Sequence, residues 1–370
     1  MKVLLLIPSV IKTGLDSEVA ADRHPTMDYH ALAHALQESG AEVDLLDFAA
    51  VERETSAVVR LARKIGGRDL ALAVMAFRCR KDYRAIFSNG ENVGIPLALL
   101  LGGGPRETGH VTIGHRLTTR KKQAFFQVLK AQRRLDQIFV YAQSQYDWAL
   151  DRLRLAPERL ALIPFHADDR FYRPLARSVN PNQVCSAGLE WRDYPTLIEA
   201  VSTMPEMVVK LAAASPWSKH KDETDGRALP PNVDARRYEY SALRDLYAES
   251  CFVVVPLRET DFQAGVTTIL EAMAMGKAVI ATRTQGQTDV ITDGENGLTV
   301  APGDVAGLRK AIARLHGDSD LRERLGRNAR RWVEENAALD HWAARIAEAV
   351  REAALPETEE PLGHLRSSII

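Results

Sequence analysis

Cysteine is scarce: Cys79, Cys185 and Cys251 are the only three in 370 residues, far apart and odd in number. That count argues against a disulfide framework and suits a reducing, cytoplasmic setting. Cys185 and Cys251 fall in apolar runs, where a thiol behaves as a small hydrophobe. Charge of either sign is also lacking in excess, with 48 Lys and Arg against 49 Asp and Glu, which argues against a dedicated nucleic-acid binder. No apolar run approaches the length of a membrane span. The opening MKVLLLIPSVI is too short, and too poor in a small-residue cleavage site, to read as a signal peptide. It reads as a first strand. No repeat or low-complexity tract is present. What remains is an ordinary globular composition, 46% apolar and 26% charged, on a chain long enough for two domains.

The most informative stretch runs from Cys251 to Asp304. Cys251 to Pro256 is a continuous apolar run, read as a strand buried on both faces. A polar turn at 258–263 leads into a predicted helix, Gly265 to Met275, closed by Gly276, and 277–281 is a second buried strand. Such a βαβ unit places its turn beyond the carboxyl ends of parallel strands, where ligands bind. The N–H groups of Ala264, Gly265, Val266 and Thr267 are then unpartnered at a helix entrance, and the helix dipole adds positive charge. A diphosphate fits there. Glu271 lies one turn further in, where its carboxylate can accept two hydrogen bonds from a vicinal diol such as ribose. Gln263 sits at the turn, facing whatever the diphosphate carries.

Within this stretch, LEAMAMGKAVIAT (270–282) and DGENGLTVAPGD (293–304) are ordered matches to a known pattern. They resemble the retaining glycosyltransferases of the GT-B fold, group 1 (family 4), whose hallmark is E-x7-E. Glu271 stands at the second Glu. The first is replaced by Gln263, and the usual E-G-F-G reads QAGV. The resemblance implies that Glu271 holds the donor ribose, that the helix entrance holds the diphosphate, and that residue 263 contacts the sugar. Glutamine keeps the hydrogen bonds and removes the charge, so a donor other than plain glucose, such as a uronic acid, is expected.

Elsewhere the chain alternates strands and helices. Val3–Pro8 is a strand; a polar loop from 12 to 25 contains Thr13 and Gly14, at the place where the family has a Gly-Gly pair over the donor phosphates. A helix over 27–39 presents Met27, Ala31 and Ala35, a strand follows at 41–46, a helix at 55–64 and a strand at 70–75. His30 and His34 are four apart and His24 is near, but without an H-E-x-x-H pattern no metal is expected. Gly102–Gly104 precede Pro105 and read as a loop rather than a dinucleotide fingerprint. HVTIGH (110–115) reads as a strand ending in His115, which stands where the family often has a donor-facing histidine; an ordinary loop histidine is the other reading. Leu117 to Leu135 is predicted as one helix with a basic face, including Arg120, Lys121, Lys122, Lys130, Arg133 and Arg134, and an apolar side of Phe125, Phe126, Val128 and Leu129. Such a segment docks on an anionic membrane or is a solvated helix on a sheet.

Strands at 137–141 and 160–164 flank a helix at 146–153, and IPFHADDRFYRP (163–174) resembles the family's domain junction. The proline- and asparagine-rich stretch 174–183 is the expected linker. After a strand at 184–187, GLEWRDYPTLIEAV resembles the family's donor-phosphate segment, with Leu189 at its Arg position and Arg192 nearest its Lys. Arg192 either clamps the diphosphate or is a surface arginine at a helix entrance. Trp217, Lys219 and Lys221 lie in a polar loop, and Tyr238 or Tyr240 is the expected neighbour of the nucleobase. Three helices after Asp304 complete the chain, with Trp332 and Trp342 expected to anchor a last helix that returns to the first domain.

These readings give an α/β chain of two Rossmann-like domains facing across a cleft: 1–174 on the acceptor side, 184–335 on the nucleotide-sugar side, a returning helix at 336–356 and a tail at 357–370. The expected activity is transfer of a sugar from a nucleotide-diphosphate donor to an unidentified acceptor with retention of configuration. Expected donor-binding residues are Glu271, Arg192, Ala264, Gly265, Val266, Thr267, Gly14 and Tyr240, with His115 and Gln263 at the reacting sugar. No metal or other cofactor is expected. Alternatives are a non-catalytic nucleotide-sugar-binding protein or a sugar-nucleotide epimerase of the same fold.

Overall fold

A computed structural model describes residues 1–102, 107–153, 155–213 and 229–355. Among these residues, twelve strands form two separate six-stranded sheets, parallel throughout. The first contains β1 (Lys2–Ile7), β2 (Glu42–Asp47), β3 (Ala85–Ser88), β4 (Gly109–Gly114), β5 (Gln137–Val140) and β6 (Leu160–Leu162), in the order β2-β1-β3-β4-β5-β6. The second contains β7 (Asn180–Ala187), β8 (Val208–Ala212), β9 (Val233–Ala235), β10 (Ser250–Val255), β11 (Val279–Thr282) and β12 (Leu298–Val300), in the order β12-β11-β10-β7-β8-β9. Parallel strands need crossover connections, so helices cover both faces and central strands lose their alternation. All six residues of β4 and all six of β10 are buried.

The last helix, Leu339–Ala353, lies on the first sheet although it follows the second. Trp342, Ile346 and Val350 enter one apolar cluster with Val3, Leu5 and Ile113. At its far end the carbonyl of Ala353 rests on Gly109, where an added Cβ would stand 2.0 Å from that oxygen. Trp342 is therefore an anchor of the crossing, 2% exposed. Trp332 is not, because it packs against the core of the second half.

Several local expectations change. The apolar run read as a strand at 70–75 is the second part of a helix, Ala57–Cys79. Its alanines favour helix, and Leu72, Ala73 and Ala76 are buried at helical spacing. The strand that follows the helix is the four-residue β3, too short to stand out in the sequence. The helix Asp28–Glu38 buries Tyr29, Leu32 and Leu36, and leaves Ala31 and Ala35 at its margin because the larger side chains take the core. Part of the 12–25 loop is helical, Leu15–Ala20. Strand β7 begins at Asn180, inside the expected linker. The basic segment 117–135 is not one helix: Arg120–Gln127 is helical, Lys130 is left-handed at φ 54, and Ala131–Arg134 is a 3-10 turn. Val128 and Leu129, expected on its apolar side, are 72% and 54% exposed. Among the described residues no helix is long and apolar enough to cross a membrane. Gly103, Gly104, Trp217, Lys219, Lys221 and the 357–370 tail lie outside the described residues.

Candidate active site

A cavity of about 630 Å³ opens between the two sheets, at the carboxyl ends of their strands. Its size suits a small-molecule ligand. His115, Gln263, Glu271, Arg192, Tyr240 and the helix entrance from Ala264 to Thr267 all line it. Gly14 does not; its left-handed backbone caps the short helix Leu15–Ala20.

The helix entrance is built by Gly265, at φ 75, before the helix Val266–Ala274. Only glycine suits this place: a Cβ would meet Leu257 at 2.9 Å and the Arg192 guanidinium at 3.0 Å. One expected donor is lost. The N–H of Ala264 turns back to the carbonyl of Phe262 at 2.7 Å, because the chain makes a tight turn there. The N–H groups of Val266 and Thr267, in the first turn of the helix, have no intrahelical acceptor.

Arg192 lies directly beneath this entrance and is 7% exposed. The chain around it is zipped to the loop after β10, with Asp193 N–H bonded to the Pro256 carbonyl at 3.0 Å and Arg258 N–H to that of Trp191 at 2.9 Å. Its Nε donates to the Ala187 carbonyl (2.7 Å), Nη1 to the Glu190 carbonyl (3.0 Å) and Nη2 to Thr268 Oγ1 (2.9 Å). Three of a guanidinium's five N–H donors are thus taken, leaving one on each terminal nitrogen. Among the described residues no carboxylate forms an ion pair with it. Burial pulls its pKa down. An unpaired buried cation at the positive end of a helix calls for an anion.

Glu271 stands one turn behind. Its Oε2 accepts from Tyr247 Oη at 2.9 Å, deep in the second half. Burial lifts its pKa to about 7, against the opposing pull of Tyr247, Tyr172 and Arg192. Tyr247 and Tyr172 carry no sequence signal for this role; they lie in ordinary helix and junction segments.

Gln263 reaches the cavity with a buried Oε1 that has no partner, while its Nε2 lies 3.4 Å from Asp289 Oδ2. The carboxylate missing at 263 is therefore present next door. On the opposite wall, His115 projects from the end of β4, its N–H held by Glu91 Oε2 at 2.9 Å and its ring 5.3 Å from that of Tyr141. Lys12, Tyr141 and Phe165 complete this wall, and sequence reasoning missed all three. Tyr240 lines the cavity with its ring against His24, centroids 4.3 Å apart. Tyr238 lines it too.

Two clasps join the halves beside the cavity. Asp261, two residues before Gln263, accepts from Thr118 Oγ1 at 2.6 Å and pairs with Arg116 at 2.8 Å, and its carbonyl accepts from Gln145 Nε2 at 2.9 Å. Across the site, Asp22 is held by Arg173 and Arg244, at 2.8 Å each. Those two guanidinium groups hold the Asp22 carboxyl well below the usual carboxylate range, Arg173 first.

Residues 183–318 match the family model described as Glycosyl transferases group 1. Lipopolysaccharide core biosynthesis glycosyltransferase LpsE of Rhizobium meliloti is 31% identical over 142 residues, covering 37% of this chain and 39% of that protein. Lipopolysaccharide core biosynthesis mannosyltransferase LpcC of Rhizobium leguminosarum is 38% identical over 100 residues, 27% of this chain and 28% of that protein. These matches span well under half the length of either relative. Among solved structures, Anabaena Alr3699/HepE in complex with UDP-glucose superposes with a TM-score of 0.70 at 17% identity, covering 95% of this chain and all of that one. Sucrose-phosphate synthase from Thermosynechococcus elongatus gives 0.69 at 18% identity, over 95% and 98%. Residues 183–318 thus match the model of a group 1 glycosyl transferase domain, in a chain that has the GT-B fold.

Proposed function

We propose that this chain transfers a sugar from a nucleoside-diphosphate donor to an acceptor bound against the first half. The observation that carries the reading is the juxtaposition of Arg192, buried without a carboxylate partner at a helix entrance, and Glu271, a buried carboxylate of raised pKa behind it. The diphosphate takes the N–H groups of the helix entrance and the free N–H groups of Arg192. The ribose diol donates to Glu271. Tyr238 or Tyr240 borders the nucleobase, and the sugar lies between Gln263 and His115. In this reading 184–335 is the donor half and 1–174 the acceptor half.

As the sugar leaves, negative charge grows on the diphosphate, where the helix end and Arg192 are already oriented, so they stabilise the transition state more than the ground state. This step uses groups of the chain alone and requires no added cofactor. Retention follows if the acceptor hydroxyl attacks on the face the diphosphate leaves, its proton passing to a leaving phosphate oxygen. Proximity of HepE, solved with UDP-glucose, supports a nucleotide-sugar donor.

The test is release of UDP or GDP from a panel of nucleotide sugars, with and without cell-extract acceptors. Acceptor-dependent release that disappears in Glu271→Ala, with the fold intact by circular dichroism, supports transfer. Sugar isomerisation without acceptor indicates an epimerase. Binding without turnover indicates a non-catalytic protein.

A further inference from the structure

The helix Ala57–Cys79 changes character at its middle. Beyond the break, Ala71, Leu72, Ala73 and Ala76 are fully buried. Before it, residues 57–65 make about two and a half turns with two apolar edges. Val59 and Ala62 face the core. Val58, Leu61 and Ile65, three and four residues apart and so on one face, are 58%, 58% and 72% exposed. They are three of the nine most exposed large apolar side chains among the described residues, and the only three that share one helix face. Single exposed apolar residues are ordinary on a protein surface, whereas a contiguous stripe marks a contact.

Charge flanks the stripe. From 53 to 68 the chain has five basic residues, Arg53, Arg60, Arg63, Lys64 and Arg68, and one acid, Glu54. Arg63 pairs with Glu52, and Arg68 lies over the ring of Phe48 at 4.5 Å. Arg53, Arg60 and Lys64 are exposed, and among the described residues none has an ion-pair partner. The break is built in. Gly67 has φ 72 and ψ −164, a conformation open essentially to glycine alone, and a Cβ on Gly66 would meet Leu70 at 2.6 Å. It gives the exposed segment an axis of its own, separate from the buried part of the helix.

We propose that the segment Ala57–Ile65 docks on an anionic lipid surface. Val58, Leu61 and Ile65 enter the boundary between headgroups and acyl chains, and Arg53, Arg60 and Lys64 meet lipid phosphates. Charge selects lipid over a second copy of the chain, since a two-fold contact on this face would set the basic edge of Arg60 and Lys64 beside the same basic edge of the copy. The sequence offers 117–135 for this role, but there Lys122 is committed to Glu91 and the helix ends at Gln127, before the left-handed Lys130. The inference is independent of the transferase reading, because its readouts need no turnover.

The experiment is co-sedimentation of the full chain with vesicles of phosphatidylcholine alone or with phosphatidylglycerol added, at low and high salt. The expected result is binding that requires phosphatidylglycerol and weakens with salt. It should fall about tenfold or more in the Val58→Ser, Leu61→Ser, Ile65→Ser triple variant, and likewise in the Arg60→Glu, Lys64→Glu variant. In the wild-type chain, hydrogen exchange of the amides of 57–65 should slow when such vesicles are added. Absence of binding at low salt, undiminished binding by the triple variant, or slowing confined to other segments overturns the proposal. So does a concentration-dependent dimer in sedimentation equilibrium that the triple variant abolishes, since the stripe would then belong to a second copy.

Discussion

In the proposed site, protonation of Glu271 and donor binding are coupled, and the raised pKa fixes the sign. Burial raises its pKa from the ordinary 4.5 to about 7. That displacement corresponds to about 3 kcal/mol against the charged form. Between those two values the folded chain binds more protons than the unfolded one, so this group's share of stability falls as pH rises from 4.5 through about 7. A ribose diol donates hydrogen bonds to the ionised carboxylate and so lowers its pKa. Binding of UDP should then release about half a proton at pH 7, about 0.9 at pH 6 and about 0.1 at pH 8. Affinity should weaken by nearly tenfold per unit below the apparent pKa. Isothermal titration of UDP in buffers of different ionisation enthalpy, from pH 6 to 8, measures both quantities. Glu271→Gln should bind UDP more weakly, lose the proton release, and melt at a higher temperature than wild type at pH 8, where the buried charge is no longer present. A flat UDP affinity from pH 6 to 8 with no proton released, or wild-type binding by Glu271→Gln, would refute the assignment of the ribose to this carboxylate.

Three other perturbations follow. Gln263→Glu puts a second carboxylate beside Asp289, now 3.4 Å from the Gln263 amide nitrogen; the repulsion is about 1 kcal/mol in water and about 4 kcal/mol at an effective dielectric of 20. Turnover should therefore fall and recover in Gln263→Glu with Asp289→Asn, while an unchanged preference for UDP-glucose in Gln263→Glu would sink the idea that residue 263 selects the donor. Breaking the Asp261 clasp with Asp261→Arg should widen the particle in small-angle scattering and raise the donor KM, and pairing it with Arg116→Asp should restore both; equal scattering profiles throughout would show that the clasp does not hold the halves. Gly109→Ala, whose Cβ would stand 2.0 Å from the Ala353 carbonyl, should cost about 1–3 kcal/mol by displacing the last helix, measured by urea unfolding.

The strands that carry the site were legible because they are buried on both faces and appear as apolar runs. β1, β10 and β11 need no partner to be recognised. The helix Val266–Ala274 was legible for a local reason as well, since Gly265 and Gly276 bracket it at positive φ. The first half was harder to read. LALAVMAF is apolar enough for a strand or a buried helix; its alanines favour helix, and it packs as one on the helix Glu91–Leu101. Residues 117–135 have helical spacing over their whole length, yet the helix breaks before the left-handed Lys130, and Ala131 and Leu135 beyond it are buried.

Sequence alone determined where the groups proposed to hold the donor lie in the second half: the glycine-started helix, the carboxylate one turn inside it, and the neutral residue at 263, all within one continuous stretch of chain. Tertiary structure decided what those groups experience. It buried Glu271 and so lifted its pKa against the pull of Tyr247 and Tyr172, tied three donors of Arg192 to the protein, set Asp289 beside Gln263, placed His115 opposite and left Gly14 outside. The physical reason is range. A helix entrance and its dipole arise from neighbours along the chain, whereas desolvation and charge pairing depend on groups tens or hundreds of residues away, which come together only when the two sheets are folded and clasped.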